Sequence, residues 1–461
     1  MTRLGGQEPM TARAAVILAA GQGTRMKSAT PKVLHKVGGR TLLDRVVDTV
    51  EQVGCERVVV VVGTHSPAVR ELVEKRLGAG AVAVQDPPLG TGHAVMAAAP
   101  ALEGFEGDVL VTNADCPLLQ PADLEPLFAM RAEGVDLALL GFEPADALLY
   151  GRLIRGAGGG VLKIAEPKDA TPEELAARSC YAGMLAAEKG ALMGWLGRTS
   201  NDNAKGEYYL TEIVSLAVGD GRSVRAHIAS ESAVMGCDTP MQLAAAEAVF
   251  QQRARARALA DGAALQAPET VHFSHDTRIG PGATVEPYVV FAPGVTVESG
   301  AVIRAFSHLE GAVVRAGAIV GPYARLRPGA DIGAEAHVGN FVEVKNVTLG
   351  KGAKANHLSY LGDGSVGAGA NIGAGTIFCN YDGFGKYETH IGEGAFIGSD
   401  TALVAPVTVG AGAFTGTGSV IVEDVPADAL AVARGQQVTK PGWAERFRQR
   451  KRAEKAARSK A

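Results

Sequence analysis

The chain has 461 residues, 47% of them hydrophobic and 20% charged, and carries a net charge of -4. That length calls for two domains or more, and that balance is globular rather than disordered or fibrous. The small negative charge excludes a general nucleic-acid-binding field, and no apolar run approaches the ~20 residues of a membrane span. Cys55, Cys116, Cys180, Cys237 and Cys379 are scattered without a CxxC pair. This argues against a structural zinc or a disulfide framework and for a reducing, cytoplasmic setting.

In chain order, residues 1–13 are expected to be a disordered leader, with Met10 as an alternative start. Residues 14–238 then alternate strand with helix. AAVILAA (14–20), RVVVVVG (57–63), AVAVQ (81–85), DVLVTNAD (108–115) and DLALLGF (136–142) are continuous apolar runs. Such runs predict a parallel sheet covered on both faces. Between them, TLLDRVVDTVEQV (41–53) and VRELVEKRL (69–77) have the spacing of amphipathic helices. The fold class expected is an α/β doubly wound, Rossmann-like domain, with its site at the carboxyl ends of strands. The first strand runs into LAAGQGTRM (18–26), followed by PKVLH (31–35). Gly21 and Gly23 let backbone N–H groups approach a phosphate, and Arg25 and Lys32 supply cations. The loop lacks the GxxxxGK[ST] of a Walker motif and the full GxGxxG of a dinucleotide fold.

Residues 239–262 predict a long linker helix. From 263 to 434 apolar residues return every six positions, first at Ile279, Val285, Phe291, Val297, Ile303 and Leu309. After a shift of one they continue at Val314, Val320, Leu326, Ile332, Val338 and Val344, and the beat is still present at Ile421. Glycine follows most beats, which is how a parallel β-helix reads. The largest break lies between Phe378 and Ile391, where an extra loop (379–390) is expected to project. Corners that carry His, Asn, Tyr, Lys and Arg instead of small residues point to function: Arg327, Glu343, Lys345, His357, Tyr360, Asn371, Asn380 and Tyr381. Residues 435–461 form a basic tail, expected to be a frayed, solvated terminus rather than a nucleic-acid arm.

On these motifs the first half resembles the sugar-1-phosphate nucleotidyltransferases. With the repeat half, the chain from about Arg13 to Trp443 resembles the bacterial bifunctional N-acetylglucosamine-1-phosphate uridylyltransferase / glucosamine-1-phosphate N-acetyltransferases. The resemblance implies a left-handed β-helix of hexapeptide repeats and two reactions. In the first, acetyl-CoA acylates glucosamine-1-phosphate. In the second, UTP and N-acetylglucosamine-1-phosphate give UDP-N-acetylglucosamine and pyrophosphate with Mg²⁺, feeding peptidoglycan and lipopolysaccharide precursors. For the first unit it implies that Leu18, Ala19, Ala20 and Gly21 line the uracil and phosphate pocket. Gln85, Gly90 and Thr91 would hold the base, Gly151 and Glu166 the sugar, and Asp115 and Asp238 the metal. The chain departs from the family pattern at Asn113, at Tyr181 and at Asp238, where an asparagine is usual. For the β-helix it implies His357 as general base, Arg327 and Lys345 as phosphate clamp, and Tyr360 and Asn371 beside the sugar, with Glu343 in the same segment. Ala374, Asn380, Tyr381, Ser399, Thr417 and Arg434 fall where the family meets acetyl-CoA. Proteins of this kind are usually homotrimers, with acetyl-CoA sites between neighbouring prisms. Two other functions stay open at this level. One is an acetyltransferase with an impaired or re-specified nucleotidyltransferase half, and the other is a non-catalytic nucleotide-sugar sensor on a trimeric scaffold.

Overall fold

The computed structural model describes residues 11–147, 150–203 and 205–458. They form two compact units: the first runs to Arg257 and includes Phe273–His275, and the second takes Ala258–His272 and everything from Asp276 onward. Most of the expected leader lies outside the described residues, and the first strand already begins at Arg13.

The first unit is a nine-stranded sheet among the described residues. Its main path runs Val224–Ala229, Leu137–Phe142, Cys180–Glu188, Asp108–Asn113, Arg13–Ala19, Arg57–Gly63, Val82–Gln85. Arg13–Ala19 lies parallel between Arg57–Gly63 and Asp108–Asn113. The order therefore reverses beside the first strand, and the loops after Ala19 and after Asn113 open at one crevice. Helices cover both faces. The helix Leu42–Gln52 is started by Thr41, whose hydroxyl accepts from the amide of Asp44 at 3.0 Å, and it buries Leu43, Val46, Val47 and Val50 in one cluster. The opposite face packs Val16, Val59, Val111 and Leu139 in a second cluster.

The sheet is mixed rather than parallel throughout. Cys180–Glu188 runs antiparallel to both Asp108–Asn113 and Leu137–Phe142, and the hairpin of Arg152–Arg155 and Val161–Ala165 hangs from it. Burial on both faces, which parallel strands require, is met equally by an antiparallel strand inserted between buried neighbours, so hydrophobicity alone did not reveal its direction.

A helix, Pro240–Ala260, carries the chain into the second unit. There two- to seven-residue strands stack in parallel ladders. Val285 pairs with Ile303, Ile303 with Val320, Val320 with Val338, and Val338 with Ala355. The residues of the six-residue beat point inward, with Val285, Ile303, Leu309, Val320, Leu326, Val338, Val344, Leu361 and Leu403 fully buried. This is a left-handed parallel β-helix, and each coil buries its aliphatic residues only against the coils above and below. It continues to Leu430–Ala431, which pairs with Phe414–Thr415. The basic tail differs from expectation. Trp443–Arg458 is a helix rather than a frayed coil, with all its residues exposed. Its Lys, Arg, Glu and Ala residues are good helix formers and need no apolar face to adopt it.

Candidate active sites

In the first unit, residues from separate parts of the chain surround a cavity of about 280 Å³. Leu18, Thr91, Asn113, Asp115, Glu166, Tyr181 and Asp238 all line it, together with Phe142, Tyr150, Thr211 and Gln242. The remaining predicted residues frame it. Ala19 ends the first strand and Ala20 and Gly21 follow. Gln85 is buried and donates from Nε2 to the carbonyl of Gly90 at 2.9 Å, which holds the turn before the helix Thr91–Ala97. Gly151 sits against Glu166, whose Oε1 accepts from the Thr211 hydroxyl at 3.0 Å.

At the mouth of the crevice the charges converge. Lys32 Nζ lies 2.6 Å from Asp115 Oδ2 and 3.0 Å from Asp238 Oδ1, and Arg25 Nη2 lies 2.9 Å from the same Asp238 oxygen. Burial by itself would depress Lys32, but the two carboxylates outweigh it and hold its pKa above the ordinary lysine value. Gly23 is required here: its φ is +62°, and a Cβ would come within 2.6 Å of Lys32 Cβ. The Asp238 backbone N–H donates to Gln242 Oε1 at 3.1 Å, which steadies that carboxylate.

The donor set suits Mg²⁺. Two carboxylates converge on the position a cation occupies, and Mg²⁺ is held through one or two carboxylates with substrate phosphates. Cys116 and Cys237 stand next to the two carboxylates in sequence. Burial pushes both thiols up, Cys237 to about 12, so they stay protonated and leave a hard oxygen pair.

Tyr181 packs in the apolar cluster of its face while also lining the cavity. Its hydroxyl is buried without a hydrogen-bond partner among the described residues, and burial raises its pKa. Beside it Gly183, with φ +82°, leaves room for the amide of Asn113, which would lie 2.3 Å from an added Cβ.

In the β-helix, one corner carries most of the predicted residues. Asn340 and His357 are ladder partners, and the register of Ala355 with Ile372 sets Ala374 on the next coil. Ser399 and Thr417 follow in the same column, their amides packed against Gly373 and Gly398. His357 Nδ1 lies 2.8 Å from Asn340 Oδ1. Arg434 donates to the carbonyl of Thr417 at 2.7 Å, which closes the column.

On the adjoining face Arg327 pairs with Glu343 at 2.8 Å, and Glu343 is the ladder partner of Tyr360. Lys345 Nζ lies 3.1 Å from Asp363 Oδ1, and Asp363 also accepts from Asn346 at 2.9 Å and from Asn380 at 2.6 Å. Burial pushes the Asp363 carboxyl up, but these donors win and hold it below the usual carboxylate range. Asn380 is therefore committed to Asp363, whereas Tyr381 is exposed and donates to the carbonyl of Gly383. Asn371 stands on the other face that meets the His357 corner. The loop forms a small hairpin, closed by a bridge from Tyr381 to Lys386, with Phe384 fully exposed at its tip.

Sequence reasoning missed Asn340, Asn346, Asp363 and Lys386. Lys386 contacts Lys345, and that like charge holds its pKa below the ordinary lysine value. Only Lys386 lies in the break between Phe378 and Ile391; the other three stand within the repeat, where only the stacking of the coils shows their partners.

The domain model for MobA-like NTP transferases matches residues 15–157, and that for bacterial transferase hexapeptides (six repeats) matches 276–311. The chain is 59% identical over 448 residues to the Bifunctional protein GlmU of Caulobacter vibrioides, covering 97% of each chain. The proteins of that name from Hyphomonas neptunium and Azorhizobium caulinodans are 55% and 53% identical. They cover 97% and 94% of this chain, and 97% and 96% of their own.

The chain belongs to the bifunctional GlmU family.

As a member of the GlmU family it is a bifunctional transferase, with uridylyl transfer in the first unit and acetyl transfer in the β-helix. Mg²⁺ is the metal, and UTP and acetyl-CoA are co-substrates. Full-length identity at this level does not favour an impaired first half or a non-catalytic sensor. Among the described residues no helix is long and apolar enough to cross a membrane.

Proposed function

We propose that the charged crevice of the first unit performs uridylyl transfer with the following division of labour. Asp115 and Asp238 hold the metal, which when bound neutralises charge on the nucleotide phosphates. Arg25 and Lys32 face the same phosphates. The cavity lined by Glu166, Tyr181 and Thr211 takes the sugar, whose phosphate oxygen attacks the α-phosphorus as pyrophosphate leaves. That oxygen is already anionic, so positioning and charge neutralisation suffice and no general base is needed. The convergence of Asp115 and Asp238 on one cation carries this assignment.

In the β-helix, His357 Nδ1–H donates to Asn340 Oδ1, which leaves Nε2 with the free lone pair. Nε2 takes the proton as the glucosamine nitrogen attacks the thioester carbonyl, and the coenzyme thiolate departs. Arg327, Lys345 and Lys386 supply the positive charge for the sugar phosphate. The small-residue column Ala374, Ser399 and Thr417 lets the coenzyme lie along the corner. The assembly is a homotrimer working in the cytoplasm, and its product supplies cell-wall precursor synthesis. Exposed aromatic rings at the His357 corner support self-association: Tyr288, Phe306, Tyr323 and Phe341 stack with centroids 5.0, 4.9 and 5.3 Å apart.

Pyrophosphate release from N-acetylglucosamine-1-phosphate with a panel of nucleoside triphosphates tests the first half. UTP alone should support turnover, and silence with UTP would sink the assignment.

A further inference from the structure

Before Lys32 can meet a phosphate, it must part from two carboxylates. Its side chain is 14% exposed, and its ammonium lies between Asp115 and Asp238, at 2.6 and 3.0 Å. The Arg25 side chain, by contrast, is 66% exposed and pairs with Asp238. Two carboxylates converging on one ammonium make the charge pattern of a divalent-ion site with a monovalent occupant. Partly buried side by side, they would repel one another without a compensating cation. The root of the lysine is fixed by its close approach to Gly23. The rest is a flexible four-carbon stem whose charge can shift by a few ångströms.

We propose that Lys32 is the resident counter-ion of the metal site. Its ammonium occupies the point between Asp115 and Asp238 while nucleotide is absent, and it leaves for the phosphates when metal and nucleotide enter together. This rests on the assignment of Asp115 and Asp238 as metal carboxylates. It makes Lys32 a positioning residue as well as a phosphate ligand. Free divalent ions bind weakly because they compete with a tethered cation, and nucleotide strengthens metal binding by drawing that cation away. The device keeps the carboxylates apart and ordered without a metal, and it favours the metal–nucleotide pair over the bare ion.

The test is Mn²⁺ binding to the full, nucleotide-free chain followed by electron paramagnetic resonance, since Mn²⁺ accepts the same oxygen ligands. Lys32→Met keeps the length of the stem and removes the charge, and it should bind Mn²⁺ roughly 10-fold more tightly than the unaltered chain. Equal affinity in the two, with Asp115→Asn weakening both, would leave the metal site standing and overturn the role of Lys32. If Asp115→Asn changes Mn²⁺ binding in neither background, the carboxylate assignment itself falls and the inference with it. Should Lys32→Met fail to fold, the unaltered chain decides. Saturating Mn²⁺ without nucleotide should speed labelling of Lys32 by an amine-reactive ester several-fold, and an unchanged rate refutes the displacement.

Discussion

At His357 one hydrogen bond decides which nitrogen can act. Because Nδ1–H donates to Asn340 Oδ1 at 2.8 Å, Nε2 is the basic atom. His357→Ala should lower acetyl transfer by roughly 10²–10⁴-fold while pyrophosphate release with UTP is retained. Asn340→Ala should lower kcat for acetyl transfer by roughly 10-fold with little change in KM, since it disturbs the orientation of the base rather than binding. Asp115→Asn should do the converse of His357→Ala, ending Mg²⁺-dependent pyrophosphate release and sparing acetyl transfer. Assays of both activities on each variant check these outcomes, and joint loss would contradict separate sites. Asp363 gives a pH signature. Its folded pKa lies below the unfolded value, so its contribution to stability is complete above about pH 4 and fades as pH falls through the lower folded value. Thermal melts should therefore separate Asp363→Asn from the unaltered chain at neutral pH, with the gap closing below about pH 4. A gap of constant size would show that the donors around Asp363 do not depend on its charge. His357 was legible as a residue out of place at a corner, but its partner Asn340 was not. The two are 17 residues apart, and only stacking of the coils brings them together.

Each coil of the β-helix stands on its neighbours, so a defect in one is felt at the next. Leu326 is fully buried between Leu309 and Val344. Leu326→Ala should cost about 2–5 kcal/mol, read as a lower denaturation midpoint with both activities retained at low temperature. Gly339 is more consequential than its size suggests. A Cβ there would stand 1.9 Å from the carbonyl oxygen of Asn356, the residue before His357. The period of six placed the inward residues correctly because strands, burial and turn share one repeat. It did not show that the loop at 379–390 folds back as a hairpin, because that depends on bonds such as Tyr387 N–H to the Asn380 carbonyl. In the sheet of the first unit, five strands were legible from apolar runs, whereas Arg152–Arg155, Val161–Ala165, Cys180–Glu188 and Val224–Ala229 were not, nor was the antiparallel direction of Cys180–Glu188.

For the molecule as a whole, self-association is the property that the exposed aromatic column bears on. Tyr288, Phe306, Tyr323 and Phe341 are about half exposed and all have positive φ, a conformation costly for bulky residues. Stacking along the column offsets part of that cost, and a partner covering it would offset more. Light scattering should give three times the chain mass. Phe306→Asp combined with Tyr323→Asp should reduce it towards the single chain while pyrophosphate release persists, and aspartate tolerates positive φ better than most residues. A variant that keeps the full mass would rule the column out as the seam.

What the sequence determined by itself was everything written in local periodicity. That covers the alternation that makes an α/β domain, the six-residue beat that makes a β-helix, and the glycine loop with Arg25 and Lys32. Tertiary structure alone decided which of these residues meet. Asp238 joins Asp115 through Lys32, and Lys345, Asn346 and Asn380 gather on Asp363. Periodicity is set by neighbours along the chain. Charge clusters are set by distances between segments far apart in it, and those exist only once the strands have stacked.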